Sequence, residues 1–89
     1  VKARRIGVQV LLPEDHVVAR TFAGEGVERT SGVAIPAGTM GLDIGPRTIE
    51  RYRAAIAEAR TVVWNGPMGV FENPAFAAGT RAVAQAVAD

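Results

Sequence analysis

The residues best placed to do chemistry lie in one run, Asn65-Gly66-Pro67-Met68-Gly69-Val70-Phe71-Glu72. Asn65 offers a side-chain amide, and the glycines beside it let a ligand approach the backbone closely. Such a surface suits phosphate oxygens or the edge of a planar base. Glu72 follows two apolar residues, and a carboxylate can accept two hydrogen bonds at once. It could therefore grip two neighbouring hydroxyls, as on a ribose. Blander readings stand beside these. The glycines could serve only the dihedral angles of a tight connection, and Glu72 could be a charge favoured near a helix N-terminus. A second candidate run is Met40-Gly41-Leu42-Asp43-Ile44-Gly45, where Leu42 could pack on a flat ring while Gly41 lets it approach. The same residues would equally suit a core strand. Asp43 could bind a cation through water or cap a helix, capping being the commoner role. His16 has no acid or nucleophile near it in sequence and reads as structural, and Arg47, Arg51, Arg53 and Arg60 read as a solvated helix face.

These groups need elements to position them. Thr61 to Trp64 is an uncharged run that suits a strand buried on both faces, as in a parallel sheet. Gly66, Pro67 and Gly69 end it, so Asn65 to Glu72 falls at the carboxyl end of a strand, where open α/β sheets bind ligands. Gly45-Pro46 opens a helix expected over Pro46 to Arg60, with Ile49, Tyr52, Ile56 and Ala59 on one stripe. Asn73-Pro74 is a cap followed by proline at the first helical position, opening a helix expected over Pro74 to Ala88. Gly79 inside that helix implies close packing against a neighbouring backbone. Upstream, Val8 to Leu12 reads as a strand, and residues 1–7 as the end of a helix closed by Gly7. His16 to Phe22 reads as a short extended run. Residues 23–39 read as a surface excursion with short extended pieces such as Val33 to Ile35. Strands alternating with helices predict an α/β fold, part of a Rossmann-like parallel sheet with flanking helices and incomplete relative to a full domain.

Bulk properties narrow the function. The chain has 89 residues, ten of them basic and nine acidic, for a net charge of +1. Interspersed charges give no electrostatic case for nucleic acid or an anionic membrane. With one histidine and no cysteine, neither a disulfide framework nor a metal centre is expected within the segment. No apolar run reaches the roughly 20 residues of a membrane span, so a cytoplasmic protein is expected.

Taken together, the strings Met40-Gly41-Leu42-Asp43-Ile44-Gly45-Pro46, Thr61-Val62-Val63-Trp64-Asn65-Gly66-Pro67-Met68-Gly69-Val70-Phe71-Glu72 and Phe76-Ala77-x-Gly79-Thr80 resemble phosphoglycerate kinase. The resemblance covers nearly the whole chain and falls in the C-terminal, nucleotide-binding domain of that two-domain family. It implies reversible phosphoryl transfer from 1,3-bisphosphoglycerate to ADP, giving 3-phosphoglycerate and ATP in glycolysis, with Mg2+. By motif position it implies that Glu72 bonds the ribose hydroxyls. Gly41, Leu42, Gly66, Val70 and Phe71 would line the adenine and ribose pocket, and Asn65 would face the nucleotide phosphates. The magnesium ligand, the phosphate-contacting lysines and the phosphoglycerate site are expected outside residues 1–89. The segment alone is therefore expected to be inactive, and the complete enzyme a monomer. A stand-alone nucleotide-binding or interaction module reusing these strings is the competing reading.

Overall fold

The computed structural model describes residues 5–89. Its sheet is built from β1 (His16–Ala19), β2 (Glu28–Arg29) and β3 (Met40–Ile44), followed by helix α1 (Pro46–Glu58), a 3-10 turn (Pro74–Phe76) and helix α2 (Ala78–Ala88). The strand order is β2-β1-β3 and both pairings are antiparallel. The expectation of a parallel sheet is corrected here for the described residues. A parallel pair needs a crossover, usually a helix, between its strands. β1 and β3 are joined instead through turns and β2, with no helix between them.

The two other expected strands do not form. Val8 to Leu12 and Thr61 to Trp64 take no part in the sheet. Val63, read as a strand residue buried on both faces, is 90% exposed. An apolar run becomes a strand only when another strand accepts its backbone hydrogen bonds, and no described strand lies alongside these two. Val33 to Ile35 likewise forms no strand. The extended run from His16 stops at Ala19, short of Phe22. The helix end expected over residues 1–7 falls largely outside the described residues, although Gly7 does adopt a positive φ of 79°.

The register carries one irregularity. Val17 pairs with Asp43 and Val18 with Gly41, so Leu42 is an extra residue on β3. Such a bulge breaks the ladder and re-aims the backbone of the bulged strand. Leu42 still sends its side chain into the core, with Val17, Ala19 and Phe76, and Met40 and Val70 pack against the cluster.

α1 begins as the sequence predicts, with Gly45 as its N-cap and Pro46 in the first turn. Gly45 has no side chain to cap with, and the cap comes from Asp15. Its Oδ2 accepts from Arg47 N at 2.9 Å, and its Oδ1 accepts from Thr48 N at 2.9 Å and from the Thr48 hydroxyl at 2.5 Å. Thr48 in turn accepts from the amides of Glu14 (3.0 Å) and Asp15 (3.1 Å). Gly45 must be glycine because a Cβ there would collide with the Asp15 carboxylate. α1 ends at Glu58 rather than Arg60, since Ala59 turns to an extended ψ of 144°.

The expected helix from Pro74 to Ala88 is divided. Asn73 caps as predicted, accepting from Ala75 N, but the turn it starts is 3-10 and ends at Phe76. Ala77, at φ −102° and ψ −9°, separates it from α2. The break lets Phe76 point fully into the core beside Leu42. α1 and α2 pack against each other. Neither is long and apolar enough to cross a membrane.

Candidate functional site

The run Asn65 to Glu72 is a loop held between β3 and the start of α2. Two backbone amides anchor it. Val70 N donates to the carbonyl oxygen of Leu42 at 2.9 Å, and Met68 N donates to the Thr80 hydroxyl at 3.0 Å. The first bond uses the bulged position of β3, a free edge of the sheet, so the loop also covers that edge. Within the loop, Phe71 N donates to Gly69 O (2.9 Å) and Asn73 N to Val70 O (3.1 Å), which folds Val70 to Asn73 into a tight corner.

The two loop glycines have different reasons. Gly66 sits at φ +98°, a conformation that side chains rarely adopt, and a Cβ there would meet open space. Gly69 has no such φ but no room: a Cβ would lie 2.5 Å from Leu42 O and 2.7 Å from Asp43 Oδ1. One glycine shapes an open surface, and the other lets the loop press onto β3.

Of the expected site residues, Gly66 and Phe71 meet in one open hollow of about 280 Å3, with Trp64, Pro67 and Thr80. Phe71 is 50% exposed there. Val70 and Leu42 meet through the backbone bond and in the core, where Leu42 is only 4% exposed. The core-strand reading of Leu42 therefore describes its side chain. Gly41 is on the exposed side of β3, where Ile35 leans over it: a Cβ would come 2.9 Å from Ile35 Cδ1. Asn65 and Glu72 are exposed and stand outside the hollow. A larger hollow of about 750 Å3, near the C-terminal ends of α1 and α2, contains none of the expected site residues.

Asp43 turns out to cap a helix, though not the one that follows it directly. Its Oδ2 accepts from Gly79 N at 2.9 Å, 36 residues on, in the first turn of α2, while Oδ1 accepts from Ile44 N at 2.8 Å. Burial pushes its carboxyl above the ordinary aspartate value, and the two amides only partly offset this. Gly79 is closely packed, but against the side chains of Asp43 and Ile44 rather than the neighbouring backbone expected, and a Cβ there would collide with Asp43 Oδ1. His16 is held through its backbone, its amide donating to Thr30 Oγ1 and its carbonyl accepting from Thr30 N. Arg47 and Arg51 pair with Glu14, and Arg53 with Glu50, on the surface.

Thr80 is a support of the loop that sequence reasoning overlooked, and Asp15 is an overlooked support of α1. Asp15 carries no local mark of its role, because its partners lie 32 and 33 residues away. The string ending Gly79-Thr80 did contain a signal, a hydroxyl residue in the first turn of a helix.

The loop, its seat on β3 and the glycine-tight contact with α2 are the structural content of the strings quoted above. The model of the family described as phosphoglycerate kinase matches residues 1–89. The chain belongs to the phosphoglycerate kinase family. The phosphoglycerate kinase of Acidobacterium capsulatum is 59% identical over 90 residues, covering 99% of this chain and 22% of that relative. That of Chloroflexus aggregans is 57% identical over 89 residues, again covering 99% of this chain and 22% of the relative. The chain thus spans about a fifth of the length of these curated relatives. The structure of phosphoglycerate kinase from Coxiella burnetii superposes with a TM-score of 0.88 at 44% identity, covering 98% of this chain and 23% of that one. Phosphoglycerate kinase from Pyrococcus horikoshii gives a TM-score of 0.73 at 40% identity, over 86% of this chain and 19% of that one.

Proposed function

We propose that this chain supplies part of the adenine and ribose site of a phosphoglycerate kinase. That enzyme would move a phosphoryl group reversibly from 1,3-bisphosphoglycerate to ADP, in the cytoplasm and as a monomer. The observation that carries the reading is the anchored loop. Two backbone bonds seat it on β3 and α2, and it presents an open, glycine-shaped surface beside a half-exposed aromatic ring. Phosphoryl transfer asks a protein mainly for positioning and charge neutralisation, and a loop fixed at both flanks is suited to positioning.

The roles follow from the chemistry of each group. Phe71 and the backbone at Gly66 offer adenine a flat apolar surface that no Cβ obstructs. Val70, supported from beneath by Leu42, sets the height of that surface, and Gly41 closes its far side together with Ile35. The exposed Glu72 carboxylate accepts from both ribose hydroxyls, and the Asn65 amide faces the phosphates. Magnesium, which the family reading implies, does not fit here. No group of three or more candidate ligand side chains occurs among the described residues. Both oxygens of each buried aspartate, Asp15 and Asp43, already accept hydrogen bonds.

Val8 to Leu12 and Thr61 to Trp64 are proposed as strands of a larger parallel sheet within a C-terminal nucleotide-binding domain. Their exposed apolar side chains, Val63 above all, support this, because such residues gain by burial between neighbouring strands.

The test is Glu72→Ala in the complete protein that carries this segment. Loss of two charge-assisted hydrogen bonds should raise the KM for ADP by roughly tenfold or more, with the KM for the phosphoglycerate substrate nearly unchanged. An unaltered ADP KM would sink the ribose assignment.

A further inference from the structure

The loop's two anchors belong to different elements. Leu42 O is on β3 and Thr80 Oγ1 is on α2. The direct tie between them is the Asp43 carboxylate. Asp43 follows Leu42 in sequence, and its hydrogen-bond partner Gly79 precedes Thr80. The contacts therefore close a ring: Leu42 to Asp43 along the chain, Asp43 to Gly79 by hydrogen bond, Gly79 to Thr80 along the chain, Thr80 to Met68, and Val70 back to Leu42. Gly69 lies between the two anchored loop residues and presses on Asp43 with no room for a Cβ, as does Gly79 from the α2 side. Asp43 thus fills the centre of the ring, touched by a glycine on each side.

We infer that Asp43 and Thr80 are positioning residues for the nucleotide loop: Asp43 sets the separation of β3 from α2, and Thr80 transfers it to Met68. This rests on the nucleotide reading above and deepens it. Asp43 does not line the hollow, and Thr80, which does, acts here through its bond to Met68 N. A ring closed by hydrogen bonds has one geometry, so Gly66, Val70 and Phe71 arrive at the ligand already ordered and pay less conformational entropy on binding. Opening the ring leaves each element folded but lets the loop move, which weakens nucleotide binding selectively.

The discriminating variants are at Thr80, because truncating the buried Asp43 could unfold the domain. Thr80→Val keeps the shape and removes the acceptor for Met68 N, whereas Thr80→Ser keeps the hydroxyl. In the complete protein, Thr80→Val should raise the KM for ADP roughly threefold to tenfold, the effect of one lost hydrogen bond. The KM for the phosphoglycerate substrate should stay within about twofold, and Thr80→Ser should restore the parental value. A purely structural role would lower the active fraction, and with it kcat, and leave the ADP KM alone. That outcome, or equal rises for both substrates, overturns the inference. Asp43→Asn should act in the same direction as Thr80→Val, since an amide presents only one of the two acceptors that Ile44 N and Gly79 N require. Measuring Glu72→Ala alongside separates the two claims. If it raises the ADP KM while Thr80→Val does not, only the positioning claim fails. If Glu72→Ala has no effect, the nucleotide reading fails and takes the positioning claim with it.

Discussion

Asp15 and Asp43 do the same work at two places and under different conditions. Each is buried, and each caps a helix to which it is not adjacent in sequence. Each is also met by a glycine that could not carry a side chain, Gly45 against Asp15 and Gly79 against Asp43. Their acidities nevertheless diverge. Burial pushes Asp15 up, but the Thr48 hydroxyl, the Arg47 and Thr48 amides and the Arg47 charge hold it below its ordinary value. Asp43 has only two amides to set against burial and stays above. Desolvation penalises any buried carboxylate, and the number and charge of its donors decide whether the charged form is still preferred. The difference also suits the places. Asp15 fixes a helix to the sheet away from the loop, whereas Asp43 sits under the loop that is proposed to bind a nucleotide.

The comparison breaks most visibly on truncation. Asp15→Ala strands two amides of the first turn of α1 and removes one of the two acceptors of the Thr48 hydroxyl, which keeps the Asp15 carbonyl, and should cost roughly 3 kcal/mol. Asp43→Ala strands two donors but also removes an unfavourably buried charge, and should cost roughly 2 kcal/mol. Urea unfolding of the complete protein measures both, and equal losses would mean that the two caps are not different in kind.

Acidity sharpens the contrast. Asp15 has a depressed folded value, so its contribution is complete above the unfolded value of about 3.8 and is lost as pH falls through the folded one. Asp43 has a raised folded value, so its contribution is complete below about 3.8 and is lost as pH rises through the folded one. The parent's advantage over Asp15→Asn should therefore shrink on acidification, and its advantage over Asp43→Asn should shrink on going towards neutrality. Unfolding free energies across that range read the two slopes, and slopes of the same sign would contradict the assigned environments. The smallest effect is expected from Glu14→Gln. Glu14 meets Arg51 at 3.1 Å and Arg47 at 3.9 Å on the surface beside Asp15. Losing these pairs should cost less than about 1 kcal/mol and become undetectable at high salt.

What could be read from residue order alone was local chemistry. Gly45-Pro46 marked the start of α1 and Asn73-Pro74 marked a cap, because proline and a capping amide act within one turn of themselves. Gly79 announced close packing because glycine inside a helix costs roughly 1 kcal/mol relative to alanine without some return. The strings around Leu42 and Trp64 were specific enough to point to the family, and Glu72 and Asn65 were named for the bonds their side chains can make. Only the tertiary structure decided the rest, since it depends on which distant groups meet. The sheet is antiparallel because β1 and β3 find each other through turns, and Thr61 to Trp64 stays out of it because no described strand bonds to it. Asp15 became a helix cap, Leu42 a bulge whose carbonyl holds the loop, and Thr80 the loop's second anchor, through partners 33, 28 and 12 residues away. A hydrogen bond satisfies a buried group equally well from any distance along the chain, so sequence spacing carries no trace of it.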